Sequence, residues 1–202
     1  MADAPPTFGY ADSFTPTRTR KKRRIRLGKD ALSPAVLLDR ATEELTATDW
    51  LRDCKQLLRD ALASLRLSAH RVLCLGLGSP AASRDARAQL AFLLAVCDDL
   101  SLDRTHISVY DPVFTADDTR LLDALGVHRL AENRACRFFQ RFLLPYPGNS
   151  RRAGYAVDEP TIVFMPHCDL HLYENLFREN WTQARLPNLV LIANRLSEYA
   201  EK

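Results

Sequence analysis

No apolar run in this chain approaches the roughly 18 residues that a helix needs to cross a bilayer, and the polar N-terminus is no secretory signal peptide. A membrane-spanning role is set aside, and the expected setting is cytoplasmic or nuclear. The five cysteines, Cys54, Cys74, Cys97, Cys136 and Cys168, are odd in number, widely spaced and without a C-x-x-C pair. That argues against a disulfide framework and for free thiols, most of them serving as small core hydrophobes. Also missing are G-x-S-x-G, the P-loop and H-E-x-x-H, so no hydrolase, NTPase or zinc-protease signature is present. There is no internal repeat.

What is there fits one globular domain with a tail. The 202 residues are 47% hydrophobic, enough for a real core. The net charge of +3 is unevenly spread: residues 1–29 hold eight Lys/Arg against Asp3 and Asp12, a net of +6, which leaves −3 for the rest. The basic character belongs to the tail and gives no reason to expect nucleic-acid binding by the folded part. Residues 1–29, with Pro5, Pro6, Gly9, Pro16 and Gly28 and little periodicity, are expected to be disordered. Within them Arg18–Arg26 carries seven basic residues in nine. Such a run serves as a nuclear-import signal, as a non-specific phosphate-binding arm, or as a solvated charge run with no receptor.

From residue 30 to 202 the pattern is that of an α/β domain. Ser33-Pro34 opens a helix through about Thr46, and Asp49 caps a second. In that second helix Trp50, Cys54, Leu57, Leu58, Ala61, Leu62 and Leu65 fall on one face, which is expected to pack inward. Over 70–199 strands alternate with helices. Strands are expected at Arg71–Leu75, His106–Tyr110, weakly at Val127–Leu130, at Thr161–Met165 and at Asn188–Ala193. Helices are expected at about Ala81–Leu100, Ala116–Leu125, Glu132–Leu144 and Leu170–Trp181, with a loop at Pro145–Glu159. The alternation predicts a Rossmann-like, mostly parallel sheet of about five strands with helices on both faces.

Three strand ends carry side chains with chemistry. Gly76-Leu77-Gly78-Ser79-Pro80-Ala81 follows the first strand and fits G-x-G-x-x-A, where glycines let a backbone approach a phosphate. Pro80 removes one N–H from such a cradle, and Asp111 lies 33 residues beyond Gly78 against about 20 in the dinucleotide fingerprint. The alternative is a tight turn that needs glycine for its geometry alone. Asp111-Pro112 closes the second strand, where an acid holds a ribose hydroxyl or simply begins a turn. His167-Cys168 follows Pro166 at the end of the fourth strand. His167 there is a catalytic base or a histidine hydrogen-bonded to a neighbouring loop; Cys168 is a nucleophile only if its pKa is lowered. His171 does not complete a zinc site, which wants four ligands or three and water, and no metal is expected. Tyr173, Trp181 and Tyr199 read as core or rim aromatics.

Taken together, Leu75–Ser79, Gln89-Leu90-Ala91, Tyr110–Phe114, Phe164–Cys168, Leu172–Leu176, Asn180-Trp181 and Ile192-Ala193-Asn194 resemble the SRR-like domain, named for plant sensitivity to red light reduced. The resemblance covers about residues 70–199. It implies a regulatory protein associated with circadian timing and light responses in plants, with relatives across eukaryotes linked to clock-gene expression and haem synthesis and no established catalytic activity in the family. Two departures stand out: Ala193-Asn194-Arg195 replaces the usual Gly-Asn-Ser, and the interval from Glu132 to Thr161 is longer than usual. Two functions follow as expectations. The first is a regulatory protein with unidentified protein partners and a small-molecule pocket. The second is an enzyme of S-adenosylmethionine-dependent methyltransferase or nucleotide-binding type, in which Gly76, Gly78, Ser79 and Asp111 hold the cofactor and His167 faces substrate. A shared scaffold does not choose between them.

Overall fold

A computed structural model describes residues 32–130 and 155–197. The basic tail, the expected helix at Glu132–Leu144, most of the Pro145–Glu159 loop, Cys136 and Tyr199 lie outside the described residues. The elements run α1 (Pro34–Thr46), α2 (Asp49–Leu65), β1 (Arg71–Leu75), α3 (Arg84–Asp99), β2 (Ile107–Tyr110), α4 (Ala116–Ala124), β3 (His128–Arg129), β4 (Thr161–Met165), α5 (Leu170–Asn180) and β5 (Leu189–Ala193). Short 3₁₀ turns precede β2 and β5. The five strands form one sheet in the order β3-β2-β1-β4-β5, and every pairing is parallel. The α/β, Rossmann-like expectation holds.

Each strand's period of two sorts its side chains between two cores. Val72, Cys74, Ile107, Val109, Ile162 and Phe164 point to the face covered by α1, α2, α3 and α4. Leu75, Val163 and Met165 point to the other, where Tyr173 and Leu176 of α5 meet them. β4 is buried along its whole length, as expected of a continuous apolar run between two neighbouring strands. Leu90, Leu93, Leu94 and Cys97 of α3 face inward as expected.

Local chemistry sets most boundaries. Ser33 Oγ accepts from Val36 N at 3.3 Å, which fixes the start of α1 where its Ser-Pro pair predicts. The cap of α2 is Thr48 rather than Asp49: Thr48 Oγ1 accepts from Leu51 N at 3.4 Å, and Asp49 sits in the first turn, where its charge suits the helix dipole. The inward face of α2 also differs from expectation. Leu51, Leu58 and Leu62 are buried, whereas Trp50, Leu57 and Leu65 are 57%, 71% and 57% exposed. The buried contact lies at one edge of the apolar arc, where Leu58 and Leu62 are joined by Leu51 from outside the expected set, and the opposite flank with Trp50 and Leu57 is left outside. Trp50 rests on Phe92 at a ring distance of 5.4 Å, and Phe92 on Phe164 at 5.8 Å. α3 begins at Arg84, three residues later than the apolar pattern alone suggests, because Ser83 caps it through Ala86 N at 3.3 Å.

Candidate functional site at the carboxyl edge of the sheet

The strand order reverses at β1: one half of the chain extends the sheet through β2 and β3, the other through β4 and β5. β1 is therefore central, and the crevice outside the carboxyl ends of β1 and β4 is the topological switch point where open α/β sheets take ligands. Gly76, Asp111 and His167 follow the ends of β1, β2 and β4, three adjacent strands.

Gly76 meets the loop after β4 directly. Its φ is +70°, and a Cβ placed on it would stand 2.8 Å from Cys168 Sγ and 2.8 Å from the His167 carbonyl oxygen. The Cys168 thiol donates to Leu75 O at 3.3 Å. The side of Gly76 that faces β4 is thus filled by the chain itself. Burial raises the Cys168 pKa to about 12, with Asp169 and Asp111 adding to the effect, so the thiol is kept protonated. A protonated, buried thiol is a poor nucleophile, and Cys168 acts as a packing and hydrogen-bonding group.

Gly78, at φ +76°, donates its N–H to Asp111 Oδ2 at 2.7 Å. Asp111 Oδ1 accepts from Val113 N at 3.0 Å, so the acid at the end of β2 is joined to the glycine loop and to its own turn. Between the two glycines, Leu77 is fully buried and pins the loop into the core. Ser79 Oγ donates to Asp118 Oδ2 at 2.7 Å, and Ala81 N to Asp118 Oδ1 at 2.8 Å. The loop does not open straight into α3; it turns through residues 80–82 first, held by Arg87 Nη1 on Pro80 O at 2.8 Å. With Gly78 N and Ala81 N given to carboxylates and Pro80 carrying no N–H, the loop has few donors left for a phosphate. The remaining lone pairs of Asp111, which is half-buried, suit a hydroxyl donor such as a ribose better than an anion.

Asp118 escaped the sequence reading. It is fully buried in the first turn of α4 and also accepts from Thr115 N and Thr115 Oγ1, each at 2.8 Å. Burial alone would raise its pKa, but the hydrogen bonds from Thr115, Ala81 and Ser79 outweigh burial and hold the carboxyl below its usual range. The signal was present as Thr115-x-x-Asp118, a capping box whose acid reaches beyond its own helix.

His167 is exposed, and its Nε2 lies 2.8 Å from Gln89 Nε2 on α3. His171 stands apart on α5, with Nδ1 3.6 Å from Glu174 Oε2. Among the described residues no three His, Cys, Asp or Glu side chains gather closely enough to hold a metal ion. Tyr173 is a core residue whose hydroxyl donates to Met165 O at 2.9 Å, whereas Trp181 is 69% exposed and touches Phe177. A separate cleft of about 230 Å³ lies between the start of α2 and the end of α3, lined in part by Arg52, Lys55, Arg59 and Asp99; none of the strand-end residues reaches it.

The SRR1 domain matches residues 54–202, from within the first half of α2 onward. The chain belongs to the SRR1 domain family. It is 31% identical to the SRR1-like protein of Mus musculus, over 89% of this chain and 73% of that one. It is 30% identical to the Protein SENSITIVITY TO RED LIGHT REDUCED 1 of Arabidopsis thaliana, over 63% of this chain and 40% of that one. The SRR1-like protein of Drosophila melanogaster is 26% identical over 78% of this chain and 50% of its own length. The chain thus spans half or less of the plant and insect relatives. No solved structure matches it. All the strand-end residues lie inside the SRR1 match: Gly76, Gly78, Ser79, Asp111 and His167. No helix among the described residues is long and apolar enough to cross a membrane.

Proposed function

We propose that this member of the SRR1 domain family is a regulatory protein of circadian or light-linked gene expression, and of haem biosynthesis, with a small-molecule site at the carboxyl edge of its sheet. Support for the regulatory role comes from the family and from the plant relative named for its red-light response. Support for the site comes from one observation: Gly78 and Asp111 are hydrogen-bonded, and the His167 backbone touches Gly76, around the β1–β4 switch point. Its partners on this reading are regulatory proteins, with Arg18–Arg26 serving an import receptor or non-specific nucleic acid, in cytoplasm and nucleus. Expression of the chain in Arabidopsis lacking the relative should restore the red-light response. Failure to do so at normal protein level counts against the regulatory role.

A second reading, an S-adenosylmethionine-dependent or nucleotide-binding enzyme, is favoured by the strand order and by Asp111 at the end of β2. Here Asp111 would bind a ribose hydroxyl, the loop at Gly76, Gly78 and Ser79 would border the cofactor, and His167 would lie toward substrate. A thermal-shift panel of S-adenosylmethionine, NAD, NADP, haem and nucleotides separates the readings. A ligand at about 100 times its dissociation constant stabilises by roughly 2.7 kcal/mol. A silent panel removes the enzyme reading and the small-molecule site for these ligands.

A further inference from the structure

Gln89 and His167 are 78 residues apart in sequence, and their side-chain nitrogens are 2.8 Å apart in space. Two facing nitrogens form a hydrogen bond only if one donates and the other accepts. Gln89 Oε1 is buried and has no partner among the described residues. The amide has two arrangements. With its nitrogen toward the ring, an N–H donates to an unprotonated Nε2, and a single acceptor oxygen stays buried and unmet. Turned over, the oxygen accepts from Nε2–H, and an NH₂ group with two donors is buried unmet instead. An orphaned carbonyl oxygen is tolerated better than orphaned N–H groups, so the first arrangement prevails. The ring proton of neutral His167 then sits on Nδ1.

We propose that Gln89 is a positioning residue that holds His167 in its Nδ1–H tautomer, so that the exposed ring offers a fixed hydrogen-bond donor beside the β1–β4 switch point. Gln89 is suited to the task because it is half-buried on α3, whose neighbouring Leu90 and Ala91 are fully buried and keep the helix in place. His167 is suited because its own backbone is wedged against Gly76, so the ring swings from an anchored base. Only the identity of what meets that donor rests on the ligand reading above; the tautomer belongs to the free protein.

The test is a long-range ¹H–¹⁵N correlation spectrum of the full ¹⁵N-labelled chain near pH 8.5, with the His167 ring assigned by its loss in His167→Gln. Nδ1 should carry the proton and Nε2 should resonate as the acceptor nitrogen. Gln89→Met should release the ring to the tautomer mixture of free histidine, and Gln89→Glu, which can only accept, should move the proton to Nε2. An Nε2–H ring in the unaltered chain overturns the proposal, as does a tautomer ratio that neither variant changes. Should Gln89→Met not fold, the unaltered chain and Gln89→Glu decide. A silent ligand panel with the Nδ1–H tautomer intact overturns the ligand reading alone.

Discussion

Gly76 and Cys168 meet where β1 ends, so closely that a methyl group on Gly76 would lie 2.8 Å from the Cys168 sulfur. The close approach makes the first glycine of the loop a junction between two halves of the sheet. It also ranks the two glycines against each other.

Gly76→Ala should cost more stability than Gly78→Ala. Both positions have positive φ, near +70° and +76°, which costs an L-residue about 1–2 kcal/mol. At Gly78 the new methyl meets only Ala86 Cβ at 3.3 Å, whereas at Gly76 it meets backbone of the His167 loop. Overpacking adds about 1–3 kcal/mol there. Denaturant melts should give losses of about 1–2 kcal/mol for Gly78→Ala and about 2–5 kcal/mol for Gly76→Ala. The bulkier Gly78→Val should lose a few kcal/mol or soluble expression. Equal costs for the two alanine variants would mean that the β4 loop does not press on β1.

Much of this fold is legible in the sequence, for identifiable reasons. β1 and β4 match their expected bounds because Arg71–Leu75 stops at Gly76 and Thr161–Met165 stops at Pro166. Helix starts slip where two cap-capable residues compete, as Thr48 and Asp49 do, or where a turn such as 80–82 intervenes. The face of α2 differs from expectation because a seven-residue apolar arc does not say which of its edges packs, and the buried edge includes Leu51, outside those seven. At the site, the residue types and strand ends were visible, but their pairings were not. Gly78 with Asp111, Ser79 with Asp118 and Gln89 with His167 join residues 33, 39 and 78 apart, and only tertiary placement creates them.

Asp118→Asn should destabilise the chain by about 1–3 kcal/mol near neutral pH, since an amide turns donors toward groups that already donate. The folded-state pKa of Asp118 is depressed. Its ionised form therefore adds stability that is fully present above the unfolded value of about 3.9 and is lost as pH falls through the folded value. Chemical denaturation between about pH 7 and pH 2.5 should show the two proteins converging at acid pH. A constant gap across that range would deny the carboxylate its role.

Thiol reactivity should follow burial. Cys97 and Cys168 are pushed up to about 12 by burial, and Cys74, wholly buried, is also raised strongly by desolvation. Cys54 is half-buried on α2 and is raised less, by desolvation and by Asp53. Brief iodoacetamide treatment of the native chain at about pH 8, followed by peptide mass spectrometry, should label Cys54 well before Cys74, Cys97 or Cys168. Early labelling of Cys168 would reopen its reading as a nucleophile.

The cluster Lys21, Lys22, Arg23 and Arg24 should govern nuclear entry on the reading proposed above. Changing all four to alanine should shift a fluorescent fusion toward the cytoplasm without altering the melting temperature. An unchanged distribution rejects the import-signal role and leaves a solvated charge run.

His167→Ala separates a ligand-facing ring from a packing one. The ring is exposed and its one described side-chain bond is to Gln89, so little packing is lost with it. A stability loss of about 0.5–1.5 kcal/mol is expected, the net worth of a single hydrogen bond. If that bond is the whole cost, Gln89→Ala and His167→Ala should not add: the double variant should be less destabilised than the sum of the singles by a similar amount. Ligand-induced thermal shift, or rescue in the plant assay, should nonetheless be lost in His167→Ala. Loss of function with a small stability change assigns the ring to the site. Retained function with the same small change makes the Gln89–His167 pair a loop fastener only. A loss above about 3 kcal/mol contradicts the exposed placement of the ring itself.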